Sequence, residues 1–225
     1  MTDVPPPPAS AAQVFGDQLS RACAYAELLC TEGIVRGVIG PREAARIWPR
    51  HLLNSAALSS LVPPRAHVVD VGSGAGLPGI PLALARRDLD VTLVEPLARR
   101  VAFLEDVVAA LGVGVRIIRE RAEKLDRARA DVVTARAVAP LDRLVGVTAP
   151  LLRRPGGLLL AVKGASAEDE LVAAKSALRP AGIVEAEVVR IDVPDDDRLT
   201  VIRCVAGPEP VRSPRRVRGR EEQGA

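Results

Sequence analysis

The segment from residue 68 to residue 81 constrains the fold of this chain more than any other part of the sequence. It reads VVDVGSGAGLPGIP, an apolar run that ends in an acid and is followed by glycine at every second position. This pattern predicts a β-strand, then a glycine-rich loop with bare backbone N–H groups beside the N-terminus of a helix. Loops of this kind hold part of a nucleotide-like cofactor, so we expect a cofactor site here.

Downstream of Pro63 and Pro64, short β-branched runs alternate with helical stretches. The predicted strands of this alternation cover residues 67–71, 91–95, 115–119, 131–135 and 157–163. The predicted helices cover residues 78–86, 98–111, 141–152 and 167–178. We therefore expect an α/β domain over residues 62–206, built on a mostly parallel sheet with helices on both faces. Two further runs, residues 183–190 and 199–206, are predicted as an antiparallel pair at the sheet edge.

Three segments lie outside this alternation. Residues 12–61 show a helical spacing of apolar residues that is interrupted by glycines and prolines, which predicts a small N-terminal helical unit. Residues 1–11 contain a run of four prolines and are predicted as a disordered arm. Residues 207–225 are rich in arginine and are predicted as a basic, disordered tail.

The composition narrows the location and the partners of the chain. No apolar run approaches the roughly 20 residues of a membrane span, and the first residues do not resemble a signal peptide, so we expect a cytoplasmic protein. The 3 cysteines and 2 histidines show no metal-ligand spacing, and we expect no metal. The sequence pI of about 9.0 leaves room for a basic face that suits a nucleic acid.

Two acids favour one of the cofactors that such a loop can hold. Asp70 ends the first predicted strand, and Glu95 ends the second, where an acid can accept hydrogen bonds from ribose hydroxyls. A dinucleotide places its diphosphate at the helix N-terminus, and Asp70 beside the glycines would repel it. The methionine end of S-adenosylmethionine carries an ammonium group that suits Asp70. We therefore favour S-adenosylmethionine over a dinucleotide, with contacts from Asp70, Gly74, Gly76 and Glu95.

The loop after the third predicted strand contains Ala122 and Glu123. A backbone N–H and an acid at this place can match the ring acceptors and the amine of adenine. Glu123 is explained equally well as a negative charge that stabilises the N-terminus of a helix.

The end of the fourth predicted strand indicates which methyl acceptor is suitable. Residues 134–140 read TARAVAP and lack the Asn or Asp, followed by two prolines and an aromatic residue, that serves methylation of an exocyclic base amine. No cysteine is nearby for covalent attack on a pyrimidine ring. What remains is an acceptor with its own lone pair, such as N7 of guanine, which needs alignment and no general base.

Two cations end strands on this same edge. Arg136 can hold the cofactor carboxylate, an RNA phosphate or the O6 edge of guanine, or it can form a surface ion pair. Lys163 can meet a phosphate on the substrate side, or it can be a generic charge at a strand end.

Five runs of the chain resemble the ribosomal RNA small-subunit methyltransferase G family, whose older name is glucose-inhibited division protein B. They are RHLLNS at 50–55, DVGSGAGLPGIP at 70–81, RVAFL at 100–104, ARA at 135–137 and VKG at 162–164. The extension of the glycine loop by LPGIP is more specific than the glycines alone. The resemblance spans about residues 14–205, with the runs in the expected order.

The resemblance implies a Rossmann-like S-adenosylmethionine-dependent methyltransferase fold with a small N-terminal helical extension. It implies transfer of methyl to N7 of a guanine in the 530 loop of 16S ribosomal RNA in the small subunit. It places cofactor contacts on Gly72, Leu77, Ala122, Glu123 and Arg136. The basic tail is outside the family pattern, so we assign it only accessory attraction to RNA.

Two residues in the resembling segment 50–55 keep open roles. His51 can lie on the substrate side, or it can be a capping or packing histidine. Asn54 stands where many members of the family have Asp, which leaves its role open. We expect a monomer. The alternatives are a methyltransferase that acts on another RNA, a protein or a small molecule, and a nucleotide-binding regulatory module without chemistry.

Overall fold

One seven-stranded sheet forms the centre of the protein. The structure is a computed structural model that describes residues 4–125, 129–195 and 198–208. The strands, in chain order, are β1 His67–Val71, β2 Asp90–Val94, β3 Val115–Ile118, β4 Val132–Arg136, β5 Leu158–Lys163, β6 Ile183–Ile191 and β7 Leu199–Ala206. All seven strands match the predicted runs, and no strand end differs from its prediction by more than one residue.

The strand order is β3-β2-β1-β4-β5-β7-β6. Strands β1 and β4 lie side by side, and from this pair the later strands are added outward in opposite directions. Strands β1 to β5 are parallel to one another, whereas β7 is antiparallel to both β5 and β6. The predicted mostly parallel sheet with an antiparallel edge pair is therefore confirmed. The carboxyl ends of β1, β2 and β4 meet at one edge, where ligands of open α/β sheets bind.

The helices lie before the sheet in the chain or between its strands. They are α1 Ala9–Phe15, α2 Leu19–Leu28, α3 Asn54–Ala57, α4 Gly79–Ala85, α5 Ala98–Leu111, α6 Leu141–Thr148 and α7 Ala167–Leu178. Turns of 3-10 helix cover Gly16–Gln18, Pro41–Arg46, Leu58–Leu61, Ala122–Lys124 and Ala149–Leu151, and π-helical turns cover Leu29–Gly33 and Ile47–Leu53. The N-terminal helical extension that the resemblance implies is present.

Alternation along the strands separates two apolar clusters. Val68 belongs to a cluster on one face of the sheet, and its neighbour Val69 belongs to a cluster on the other face. The first cluster also contains Tyr25 and Leu52 of the N-terminal unit, together with Leu104 of α5. The N-terminal unit therefore shares a core with the sheet, and its helices are stabilised by that burial.

The part of the predicted arm that the structure describes contacts the helical unit. Helix α1 begins at Ala9, three residues before the predicted start of the helical unit, and it ends at Phe15, before Gly16 with its φ of 50°. The indole Nε1 of Trp48 donates to the carbonyl of Pro5 at 2.9 Å. Residues 1–3 and the tail from residue 209 lie outside the described residues. Within the described ranges, no helix is long and apolar enough to cross a membrane.

Candidate active site

The glycine loop that joins β1 to α4 has a left-handed backbone at its three glycines, and at two of them a side chain would also clash with its neighbours. Gly72 has a φ of 68°, and a Cβ atom there would lie 2.8 Å from Cγ2 of Val138. Gly76 has a φ of 97°, and its Cβ would lie 2.4 Å from Cδ1 of Ile80 and 3.0 Å from the hydroxyl of Tyr25. The glycines therefore allow the loop to fit between neighbouring side chains as well as to turn.

The N–H groups of this loop are not bare, which differs from the prediction. Five residues of the loop donate to protein acceptors at 2.7 to 3.2 Å: Gly72, Ser73, Gly74, Gly76 and Leu77. The acceptors include the carbonyl of Val94 and Oε2 of Glu95, both from the end of β2 and the residue after it. A diphosphate needs free donors, so the loop favours a cofactor without phosphate groups.

Asp70 supports the loop from beneath and has no exposed surface. Its Oδ1 accepts a hydrogen bond from the hydroxyl of Thr134 at 2.9 Å, and its Oδ2 accepts one from the N–H of Gly79 at 3.2 Å. Burial raises the pKa of Asp70 to about 6, although both hydrogen bonds oppose this shift. The carboxylate joins the ends of β1 and β4 to the start of α4. Its direct contact with a cofactor stays a prediction.

Tyr25 holds the same loop from the N-terminal unit. Its hydroxyl donates to the carbonyl of Ala75 at 2.7 Å, and its side chain is fully buried. Burial raises the pKa of Tyr25 well above its ordinary value, so the hydroxyl keeps its proton. Sequence reasoning missed this residue. Its only signal was that the chain has 1 tyrosine, placed on the apolar face of a helix.

A cleft of about 540 Å³ opens beside Gly72, at the carboxyl edge of the sheet. Four of the predicted cofactor residues line it: Gly72, Glu95, Ala122 and Glu123. The other predicted cofactor residues are not among its lining residues: Asp70, Gly74, Gly76, Leu77 and Arg136. The structure therefore gathers the predicted acid of β2 and the loop after β3 around one cavity. Gly74 donates to the carboxylate of Glu95 and so supports this lining residue.

The cleft has the size and chemistry of a site for S-adenosylmethionine. Its volume falls in the range of small-molecule sites. Leu97 and Val138 line it and are 46% and 43% exposed, which gives apolar surface beside the carboxylate of Glu95. Apolar side chains suit a purine ring, and a carboxylate suits ribose hydroxyls. Ala122 begins a 3-10 turn, and the first N–H groups of such a turn have no partner within it.

Arg136 reaches from the end of β4 to the N-terminal unit. Its Nη1 donates to Oγ of Ser55 at 3.0 Å, and its Nη2 donates to the carbonyl of Arg50 at 2.9 Å. Burial lowers the pKa of Arg136 from its ordinary value, and the charge of Arg50 adds to this. The guanidinium remains charged at neutral pH and has N–H donors left over.

His51 is buried against Glu43 inside the N-terminal unit. The distance from its Nε2 to Oε2 of Glu43 is 2.8 Å. Burial lowers the pKa of His51, and the charge of Arg136 lowers it further, so the ring is neutral at pH 7. A carboxylate only accepts, so Nε2 carries the proton and Nδ1 is left bare. Among the described residues, Nδ1 has no hydrogen-bond partner.

Lys163 is held by protein groups at the end of β5. Its Nζ donates to the carbonyl of Ala139 at 2.8 Å and lies 2.6 Å from Oε2 of Glu170. The side chain of Lys163 is 10% exposed. The structure thus brings Lys163 to the predicted edge, but the two partners occupy the charge that was predicted to meet a phosphate.

The described residues offer no site for a metal ion. Across residues 4–125, 129–195 and 198–208, no group of three or more His, Cys, Asp or Glu side chains is suitably placed. Cys23, Cys30 and Cys204 are free thiols, and burial raises the pKa of Cys204 to about 12.

Comparison with known proteins identifies similar chains. A family model described as rRNA small subunit methyltransferase G matches residues 18–198. Ribosomal RNA small subunit methyltransferase G of Streptomyces avermitilis is 53% identical over 92% of this chain and 89% of its own length. The protein of the same name from Thermobifida fusca is 47% identical over 100% of this chain and 99% of its own length.

A solved structure supports the fold. The crystal structure of a SAM dependent methyltransferase from Aquifex aeolicus aligns with a TM-score of 0.54 at 15% identity. The alignment covers 78% of this chain and 98% of that one. At this identity the likeness shows a common fold.

The buried carboxyl of Asp70 predicts a pH-dependent stability. The pKa of an aspartate in an unfolded chain is about 3.9, and that of Asp70 in the fold is raised to about 6. The stabilising contribution is therefore present below about pH 4 and is lost as the pH rises through 6. We expect the free energy of unfolding of the wild type, relative to Asp70→Asn, to fall by roughly 3 kcal/mol between about pH 4 and pH 7.

Urea unfolding of both proteins at several pH values measures this difference. The asparagine amide faces the N–H of Gly79 and adds a constant offset, so only the pH dependence is informative. Two parallel stability curves would show that Asp70 has an ordinary pKa.

Removal of the Tyr25 hydroxyl should weaken cofactor binding. Tyr25→Phe leaves the carbonyl of Ala75 without its donor, at a cost of about 1 kcal/mol. We expect the affinity for S-adenosylhomocysteine, measured by calorimetry, to fall by roughly fivefold. The control is Trp48→Phe, which loses a hydrogen bond to Pro5 and part of a buried ring away from the loop. Equal losses of affinity in the two variants would contradict a specific role of Tyr25.

Proposed function

The chain belongs to the rRNA small subunit methyltransferase G family, and we infer that it methylates N7 of a guanine in the 530 loop of 16S ribosomal RNA. The methyl donor is S-adenosylmethionine. The observation that carries this conclusion is the family match over residues 18–198, which includes every element that lines the cleft. The resemblance drawn from the five sequence runs is thus confirmed.

The reaction requires the protein mainly to align the cofactor and the acceptor base. N7 of guanine has a lone pair and carries no proton. No proton therefore has to leave N7 when it attacks the methyl group. S-adenosylmethionine, when bound, supplies a methyl group on a positively charged sulfur. The neutral His51 is engaged with Glu43, and Lys163 is engaged with Glu170. Because N7 has no proton to lose, neither side chain is needed as a base, and the rate depends on how well the protein orients both reactants.

Glu95 would hold the ribose while it keeps its present bonds. Its Oε2 accepts from the N–H of Gly74 at 3.0 Å, and its Oε1 accepts from the N–H of Leu97 at 2.9 Å. A carboxylate has about four acceptor sites, so both oxygens can also accept from ribose hydroxyls. The side chain is preorganised by the loop that it supports. Ala122 and Glu123 would contact the adenine across the same cleft.

Arg136 would contribute its remaining donors at the reacting end of the site. A guanidinium has five N–H donors, and the bonds to Ser55 and Arg50 use two of them. The others can hold the cofactor carboxylate, a phosphate of the RNA or O6 of the guanine. We favour the cofactor carboxylate, because the bonds to Ser55 and Arg50 hold the guanidinium between β4 and the N-terminal unit.

The rim of the cleft suits a polyanionic substrate. Arg121 and Arg143 line the cleft, are exposed, and form no ion pair with any residue in the described part of the chain. Unpaired guanidinium groups beside a cofactor site favour contacts with RNA phosphates. We propose that the protein meets its RNA in the cytoplasm, as a monomer, on this rim.

Methylation of small ribosomal subunits tests the proposed function. Subunits from a strain that lacks the corresponding enzyme should accept labelled methyl from S-adenosylmethionine. Borohydride and aniline should then cleave the 16S RNA at one guanine in the 530 loop, because N7 methylation makes the base labile. Large subunits from the same strain are the control. Label in a protein or a small molecule, and none in the RNA, would contradict the assignment.

Loss of the Arg136 guanidinium should weaken cofactor binding. We expect Arg136→Ala to lower the affinity for S-adenosylhomocysteine by roughly tenfold or more, since a charged hydrogen bond contributes about 1.5–3 kcal/mol. Ser55→Ala removes only the structural bond of Arg136 and should leave that affinity within about twofold. Calorimetric titration measures both. If the two variants lose affinity equally, Arg136 supports the fold and does not contact the cofactor.

A further inference from the structure

We propose that Lys163 and Glu170 form a positioning pair that holds the loop of residues 137–140 against the glycine loop, and so sets the place of the acceptor base. This inference rests on the proposed function. Neither side chain would touch the RNA. Their role would be exerted through Ala139 and Val138.

The pair is anchored on two elements and contacts the loop once. Lys163 is the last residue of β5, and Glu170 lies in the first turn of α7. Nζ of Lys163 is 2.6 Å from Oε2 of Glu170 and donates to the carbonyl of Ala139 at 2.8 Å. The lysine side chain is 10% exposed, and the glutamate side chain is 27% exposed. A partly buried ion pair therefore fixes one carbonyl of the loop.

The loop has a backbone that needs such support. Ala137 has a φ of 54°, a left-handed conformation that is unfavourable for alanine. The next residue, Val138, is placed so that its Cγ2 would lie 2.8 Å from a Cβ atom at Gly72. Pro140 then begins α6 as its N-cap. The loop is thus strained at one end, and its valine is set directly over the first glycine of the cofactor loop.

The position of the loop places it between cofactor and substrate. Residues 137, 138 and 139 line the cleft at its Gly72 side, and Val138 remains 43% exposed. A flat base that enters from the rim would meet this apolar side chain. Because methyl transfer depends on alignment, a small displacement of the loop reduces the rate. The contacts of Glu95 and Ala122 with the cofactor would be unaffected.

The same contacts argue against a phosphate on Lys163. An ammonium group has three donors. One of them is used by Ala139, and the charge is paired with Glu170. A phosphate that approached Nζ would meet the negative charge of Glu170. Replacement of Glu170 therefore separates the two roles, because it should impair a positioning pair and should improve a phosphate site.

The test compares Lys163→Met and Glu170→Gln with the wild type on small ribosomal subunits. We expect each variant to lower kcat by roughly tenfold, as alignment effects of this size are common. KM for subunits and Kd for S-adenosylhomocysteine should stay within about twofold, and the double variant should be no worse than either single one. A higher KM in Lys163→Met, a smaller salt dependence, and a lower KM in Glu170→Gln would overturn the proposal.

The control breaks a more exposed ion pair near the opposite end of β5. Nε of Arg153, which precedes β5, lies 3.0 Å from Oδ1 of Asp131, which precedes β4. Arg153→Met should leave kcat unchanged. A loss of kcat in this variant equal to that in Lys163→Met would assign the effect to general destabilisation.

Hydrogen exchange tests the pair without RNA. Amides of residues 137–144 should exchange faster in Lys163→Met and Glu170→Gln than in the wild type or Arg153→Met. Unchanged exchange in both variants would overturn the positioning role. If wild-type protein does not methylate subunits, the proposed function fails, and the exchange result still decides whether the pair holds the loop.

Discussion

The buried carboxylate of Asp70 is the constraint on which the site depends. It lies near the end of β1. It accepts one hydrogen bond from the hydroxyl of Thr134 in β4 and another from the N–H of Gly79 at the start of α4. The chain thereby keeps an ionisable group at the centre of its sheet, although burial disfavours the charged form. The glycine loop leaves β1 and returns into α4 between these anchors, so its shape is set before any ligand arrives.

The N-terminal unit is part of the active site and not an attachment to it. Tyr25 holds the cofactor loop at Ala75, and Ser55 with Arg50 receives the guanidinium of Arg136. Both contacts join the unit to the carboxyl edge of the sheet, where the cleft opens. A protein that must align two reactants without acid–base help gains from such support, because orientation depends on the rigidity of the surrounding groups.

The sequence predicted the sheet well because the signal for a strand is local. A β-branched run such as residues 67–71 identifies a buried strand wherever it lies in the chain. The state of the loop donors was predicted wrongly, because the acceptors Val94 and Glu95 belong to the next β-α unit. Tyr25 and Ala75 are 50 positions apart, and Ser55 and Arg136 are 81 apart. Pairs so distant leave no mark on a local pattern.

The shared core of the N-terminal unit and the sheet has a consequence for folding during synthesis. During synthesis the helical unit leaves the ribosome before the sheet, with Leu52 and Tyr25 lacking the strands that cover them in the finished fold. Ala75 and Arg136, which bond to the unit in the finished fold, are synthesised later. Until then the apolar surface of the unit is exposed to solvent. Translation speed between residues 60 and 136 therefore bears on aggregation, and a chain halted in this interval is exposed to chaperones and proteases.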